Sequence, residues 1–373
     1  MNQASMNQAS MNQAAMNSPS DRTDSTALLL LSFGGPEGPD DVLPFLRNVV
    51  RGRNVPDERL AEVAAQYEQF GGVSPINQQN RSLKAAIESD LADNGIEIPV
   101  YWGNRNWAPY LDDAVQAMTD DGITKAFVFV TSAFGSYSGC RQYRENLSAA
   151  AAAVAGNNST SSDGTADDRP TIELQKLRLY YNHPGFCEPA AQQLRAAIDH
   201  HVNEHGVEPH IVFTAHSIPL SMAASCDYEA QLRDAAAIVS DLAGSASSWD
   251  LVFQSRSGPP QVPWLEPDIV DHLEALHTRA VDDVVVVPLG FVSDHMEVMF
   301  DLDTQAAAAA GSAGMRMTRA GTVGTHPRFV AMVRELLEEQ LNEGPRLHLG
   351  SNGPWPDMCP EGHCALAQRP KRD

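Results

Sequence analysis

The chain has 373 residues, 43% hydrophobic and 20% charged, which suits two domains or one large α/β unit and excludes a wholly disordered protein. Lys and Arg number 26 against 48 Asp and Glu, a formal net charge of −22, so the far field repels nucleic acid and anionic lipid. No apolar run approaches the ~20 residues that cross a bilayer, no secretory leader pattern opens the chain, and five cysteines argue against a disulfide framework; a cytoplasmic protein is expected.

In chain order, "MNQASMNQASMNQAAMNS" repeats a polar five-residue unit and predicts a disordered tail over residues 1–26. "ALLLLSF" (27–33) predicts a buried strand ended by Gly34-Gly35-Pro36. Helices are expected over 40–50, despite Pro44, and 80–94, with strands over 98–106 and 126–134. Residues 150–170 pass from alanine into Gly, Asn, Ser, Thr and Asp without apolar period, which predicts a loop or linker over 150–171. Strands then recur over 172–181, 210–218, 250–257, 283–292 and 315–321, with helices such as 187–205 and 327–343 between them. Strands apolar on both faces, alternating with helices, imply parallel sheets covered by helices. Two doubly wound lobes follow, residues 27–149 and 172–345, with a cysteine-containing tail over 346–373. Ligands in such sheets sit beyond the carboxyl ends of the strands, so the polar residues there are the candidates.

"FTAHSIP" (213–219) puts His216 at one such end. A lone histidine in an apolar run is more often a hydrogen-bonded core residue, yet imidazole is also the side chain suited to take a proton or bind a divalent ion near pH 7. "PLGFVSDHMEVMFDLD" (288–303) follows an apolar run with Asp294, His295, Glu297, Asp301 and Asp303. A helix starting near Asp294 would set Asp294, Glu297 and Asp301 on one face. That pattern reads as a solvated acidic face capped by Asp294, or as carboxylates that hold a divalent ion and share protons.

"LLLSFGGP", "FLRNVVRGR", "QYEQFGGVSPIN", "YWGNRNWAPYL", "FTAHSIP", "QSRSGPPQVPWLEPDI" and "GFVSDHMEVMFDLD" resemble, in this order over about residues 27–345, the ferrochelatases. The resemblance implies a type II chelatase fold, two Rossmann-like lobes with a cleft between them, and a lyase-type metal chelatase that inserts Fe²⁺ into a porphyrin. His216 matches the family's cleft histidine and Glu297 its facing glutamate, with Asp301 extending the acidic row toward the Fe²⁺ substrate. Arg51, Ser74 and Tyr143 carry over as porphyrin contacts. A buckled macrocycle is expected between His216 on one face and the carboxylates on the other. Phe33, Phe70, Trp107 and Met299 are candidates to pack on it, or plain core. Phe33 is a departure: some bacterial relatives have a tyrosine there that can ligate product iron.

Actinobacterial members of the family, which this chain resembles, bind a [2Fe–2S] cluster with one mid-chain cysteine and a tail C-x3-C-C. Here the tail is "CPEGHC" (359–364), with His363 in place of the middle cysteine. In one reading Cys187, Cys359, His363 and Cys364 hold the cluster, an imidazole replacing a thiolate; in the other the cluster is lost and the cysteines are relics. The first is expected, because a tail of this composition has little else to order it. Cys140 and Cys226 read as incidental thiols, or as ligands if His363 does not serve. The same resemblance implies coproporphyrin III as substrate, giving coproheme; its four carboxylates need charge-assisted donors, for which Arg47, Arg51, Arg53 and Arg105 are available. Protoporphyrin IX, cobalt insertion into a related tetrapyrrole, and a non-catalytic haem or metal carrier are the alternatives. Expected partners are porphyrin and ferrous iron, with passing contact with neighbouring haem-pathway enzymes and none with nucleic acid.

Overall fold

The computed structural model describes residues 25–53, 55–158, 171–342 and 344–365. Of the expected tail over 1–26, residues 1–24 with the repeat lie outside the described residues, and Thr26 already begins the first strand.

Strand β1 (Thr26–Ser32) is buried along its whole length, as an apolar run without alternation requires of a central parallel strand. It pairs in parallel with β2 (Val100–Asn104) on one side and β3 (Lys125–Val130) on the other, and β4 (Glu173–Lys176) completes the order β2-β1-β3-β4. The second sheet repeats the pattern with β5 (His210–His216), β6 (Trp249–Gln254), β7 (Asp283–Val287) and β8 (Arg316–Arg319), in the order β6-β5-β7-β8, again all parallel. The winding reverses between β1 and β3 and between β5 and β7. Each reversal leaves a crevice at the carboxyl ends of the strands.

Two expected boundaries move. Strand β4 joins the first sheet, so that lobe ends after Lys176 rather than at 149. Residues 150–158 continue the helix Gln142–Asn158, because the alanine run is a strong helix former. The rest of the expected linker, 159–170, lies outside the described residues.

The inward faces of both sheets share one core, in which Leu28, Leu30 and Phe129 of the first sheet and Phe213, Phe253 and Val285 of the second meet Phe186 and Phe329 from the helices Pro184–His205 and Pro327–Leu341. Arg178, just past β4, makes a bidentate pair with Glu339, both N–H···O distances 2.8 Å and both side chains 1% exposed. Arg334 pairs with Asp90 at 2.8 Å, and the Gly135 N–H donates to Gln231 Oε1 at 2.7 Å. The helices Pro39–Val49 and Asp57–Glu68 form a cover around Val42, Phe45, Leu46, Leu60 and Tyr67, and Met296 of the second lobe packs into it. This cover roofs the carboxyl ends of both sheets. Among the described residues no helix is long and apolar enough to cross a membrane.

Candidate active site

His216 is the last residue of β5. Its Nδ1–H donates to the Ser217 carbonyl at 2.5 Å, which leaves the Nε2 lone pair free. Glu297 arrives from the segment after β7. His216 Nε2 lies 3.7 Å from Glu297 Oε2, with the two side chains 34% and 47% exposed. The pair stands where the second lobe's winding reverses, and Tyr67 of the roof is close enough to feel the charge on Glu297.

Asp301 sits behind the pair, one helical turn past Glu297. Ser255 Oγ–H donates to its Oδ2, as does Gln254 Nε2–H at 3.3 Å. Burial pushes its carboxyl up to about 6; the Ser255 hydrogen bond opposes that, and the Glu297 charge reinforces it. Ser255 holds its position in the left-handed region, φ 61°, a conformation that costs a non-glycine residue on the order of 1 kcal/mol or more. Glu297 lies in a short α-helical turn, Met296–Val298, that widens into a π-helix over Met299–Ala306. Such wide turns concentrate at functional sites.

The expected row of three carboxylates divides. Asp294 accepts from Arg319 Nη1 at 3.1 Å, and Asp303 accepts from Arg319 Nε at 2.5 Å, so both are tied to β8 instead of joining Glu297 and Asp301. The cap expected of Asp294 is made by His295, whose Nδ1 accepts the Val298 N–H at 3.3 Å, because the helix starts one residue later than its pattern implies. Burial lowers the His295 pKa and keeps the ring neutral, as a capping acceptor must be. Its function was not legible in the sequence: nothing marks His295 apart from its neighbours.

The expectation of opposed faces fails. An aromatic ring needs about 3.5 Å of clearance on each side, and 3.7 Å between His216 and Glu297 leaves no room for one. The two groups lie side by side. The other wall is apolar: Phe33, Phe70, Trp107 and Phe300 lie partly exposed against the Phe45 and Tyr67 core, with Phe33–Phe45 and Phe45–Trp107 edge-to-face at 6.2 and 6.3 Å. Met299 is partly exposed as well. Gly34 turns the chain after β1 at φ +82°, where a Cβ would also come within 2.8 Å of Asn104.

Of the carried-over porphyrin contacts, Ser74 and Tyr143 are each 4% exposed and present almost no surface. Arg105 covers the Tyr143 ring at 4.5 Å, and its own Nε donates to Asn146 at 2.9 Å. Arg51 is exposed, donating to Asn48 Oδ1 at 2.6 Å. Arg47 and Arg53 are exposed beside it, and none of the three has an acidic partner among the described residues.

The thiols do not arrange as expected. Cys187 is fully buried, its Sγ donating to the Tyr181 carbonyl at 3.3 Å, and burial raises its pKa. Cys359 instead neighbours Cys140, and Cys364 neighbours Cys226, closely enough for each thiol to shift the other's titration; Trp355 Nε1–H donates to Cys359 Sγ at 3.4 Å and Cys226 Sγ donates to the Met222 carbonyl at 3.3 Å. Cys364 Sγ also lies 3.0 Å from His363 Nδ1, whose Nε2 meets Asp227 Oδ2 at 3.1 Å. The Cys359 thiol, with the charges of Lys176 and Arg144, lowers Cys140 to about 5 against the opposing effect of burial. Nor does the tail lack other ties. Arg346 pairs with Asp357 at 2.8 Å, Asn182 donates to the Gly353 carbonyl at 2.8 Å, and the Cys364 N–H donates to the Ser225 carbonyl at 2.7 Å.

A second strand end thus carries an imidazole and two carboxylates under an aromatic roof, on a twice-repeated parallel sheet. The sequence profile described as "Ferrochelatase" matches residues 25–341. The chain belongs to the ferrochelatase family. It is 50% identical to the coproporphyrin III ferrochelatase of Streptomyces griseus, over 92% of this chain and 94% of that one. It is 52% identical to that of Frankia alni, covering 92% and 87%, and 48% identical to a ferrochelatase of Rhodopirellula baltica, covering 92% and 94%. Among solved structures, the sirohydrochlorin chelatase SirB of Bacillus subtilis subspecies spizizenii, with cobalt, aligns at TM-score 0.47 and 12% identity over 84% of this chain and 96% of that one. As a member of the ferrochelatases, the chain is a metal chelatase with Fe²⁺ as its ionic substrate.

Proposed function

We propose that this ferrochelatase inserts Fe²⁺ into coproporphyrin III to give coproheme, with His216 and Glu297 as the catalytic residues. The 3.7 Å approach of His216 Nε2 to Glu297 Oε2 in a half-open crevice carries the proposal. A metal-free porphyrin must lose two pyrrole protons as the ion enters. With Nδ1–H held by Ser217, Nε2 is the free base that takes one proton. Glu297 stabilises the imidazolium and takes the second or guides the ion. Asp301, poised near pH 6, passes protons away from the pair. The wall of Phe33, Phe70, Trp107 and Phe300 presses the opposite face of the ring, and a crevice shaped to a bent macrocycle favours the transition state over the flat substrate.

Coproporphyrin III is favoured over protoporphyrin IX by two supports. Three exposed arginines, Arg47, Arg51 and Arg53, lack acidic partners among the described residues on a chain of net charge −22, so they are local attractors for a tetra-anion. The relatives from Streptomyces griseus and Frankia alni bear that substrate in their names. Anaerobic assay with Fe²⁺ and each porphyrin in turn tests this: equal or faster turnover of protoporphyrin IX would overturn the substrate, and a Glu297→Gln protein that still turns over at the wild-type rate would point to a carrier.

In the tail, the thiols fall in two neighbouring pairs, Cys140 with Cys359 and Cys226 with Cys364, which supports a ligand set other than the one expected. We infer that Cys140, Cys226, Cys359 and Cys364, beside His363, would hold a [2Fe–2S] group, an electron-transfer or structural centre, and that Cys187, fully buried and donating to the Tyr181 carbonyl, stays outside it. The charges of Lys176, itself lowered by burial, and Arg144 favour thiolate at Cys140. Visible charge-transfer bands in the anaerobically purified protein, lost in Cys140→Ser and Cys226→Ser but kept in Cys187→Ser, are the expected result. We place the enzyme in the cytoplasm, where reduced thiols persist and where enzymes that make its porphyrin and use its product are met in passing.

A further inference from the structure

At the amino end of β5, six residues before His216, lies a second group of metal-binding side chains that the iron-insertion reaction does not use. His210 Nε2 lies 2.8 Å from Asp250 Oδ2, and His272 Nε2 lies 3.0 Å from the same oxygen. One ligand atom from each falls within 4.8 Å of the other two. His210 begins β5, Asp250 is in the edge strand β6, and His272 is in the first turn of the helix Ile269–Thr278. The imidazoles are 9% and 12% exposed, whereas the carboxylate is 38% exposed and leaves a path from solvent. At 3.3 Å per residue, this place is roughly 20 Å along β5 from the catalytic histidine.

We propose that His210, Asp250 and His272 form a binding site for a divalent transition ion of the Zn²⁺ class, completed by water, that clamps the edge strand β6 and the following helix to β5. Two nitrogens and one carboxylate oxygen with a fourth position open is a donor set such ions take tetrahedrally. Bonds of about 2.0–2.1 Å put tetrahedral ligand atoms roughly 3.3 Å apart, so each His–Asp separation opens by a few tenths of an ångström to admit the ion, with the two imidazole nitrogens, within 4.8 Å of each other, settling to that spacing. Without it, both Nε2–H groups donate to Asp250; with it, both present lone pairs. Ser248 Oγ, 2.9 Å from His210 Nδ1, serves either state, since a hydroxyl can donate to Nδ1 or accept from Nδ1–H. It is the outer-shell partner that orients a ligating imidazole.

The test is titration of the chelator-stripped full-length protein with Co²⁺, read by absorption, and with Zn²⁺, read by calorimetry and thermal melting. The wild type is expected to take up one ion more than the Asp250→Asn and His272→Gln variants, with visible d–d bands but without the near-ultraviolet bands of thiolate ligation. Zn²⁺ should raise its melting temperature, and the variants should lack that part of the rise. Ser248→Ala should weaken binding about tenfold. Iron insertion without added Zn²⁺ should be unchanged in all three, and circular dichroism controls for folding. Equal stoichiometry and equal melting shifts in wild type and folded variants would overturn the site, leaving a hydrogen-bond network. If Asp250→Asn fails to fold, His210→Gln and Ser248→Ala decide by the same readouts. Because the readouts are stoichiometry and melting, failure here leaves the iron-insertion proposal intact.

Discussion

The two lobes wind identically, β2-β1-β3-β4 against β6-β5-β7-β8, yet their crevices differ in chemistry. Past β1 the chain presents Phe33 and a glycine turn; past β5 and β7 it presents His216 and Glu297. The shared topology supplies a place for a ligand at each reversal, and the residues put there decide what happens to it. The first lobe contributes aromatic rings, and the second an imidazole and two carboxylates.

The sharpest way to break this contrast is Glu297→Gln, which keeps the shape of the side chain and removes its charge. Turnover should fall by roughly 10²–10⁴-fold in the anaerobic iron-insertion assay, with porphyrin binding retained. Next is the joint between the lobes. Arg178→Met strands the Glu339 carboxylate, at 1% exposure, without its partner and should cost about 3–5 kcal/mol in chemical denaturation. Asp301→Asn sharpens the view of the other carboxylate. A carboxyl whose folded pKa is raised to about 6 binds more protons folded than unfolded, so its contribution favours folding fully at pH values below its unfolded pKa and is lost as pH rises toward 6 and beyond. The variant should therefore exceed the wild type in stability at pH 8 by about 3 kcal/mol, with the gap closing below pH 4 in denaturation measured across pH. The smallest effect belongs to the rim. Arg51→Ala should raise KM for coproporphyrin III by about tenfold, the worth of one charge-assisted contact, and move KM for the dicarboxylate less. Phe33→Tyr, which places a phenol on the wall, should change the absorption spectrum of bound product haem without abolishing turnover.

The strands were legible because each central one is apolar on both faces, and only a buried parallel strand tolerates that. His216 was legible because a titratable ring ends such a strand. The limits of reading show in the segment after β7. Asp294, Glu297 and Asp301 have helical spacing, and spacing alone sets them on one face. The helix begins at Met296 and widens into a π-helix at Met299, while Arg319, distant in sequence, draws Asp294 away. Likewise the tail's cysteines find Cys140 and Cys226 rather than Cys187, because partners depend on how the tail crosses the surface, which composition does not encode.

By itself, then, the sequence determined the alternating parallel architecture, the strand ends where chemistry must sit, and the family, since hydrophobic period and motif order are properties of the chain alone. Only the tertiary structure decided that β4 belongs to the first sheet, that His216 and Glu297 lie side by side, and that His210, Asp250 and His272 meet. Those are relations between residues tens of positions apart, fixed by strand register and by which helix packs on which sheet.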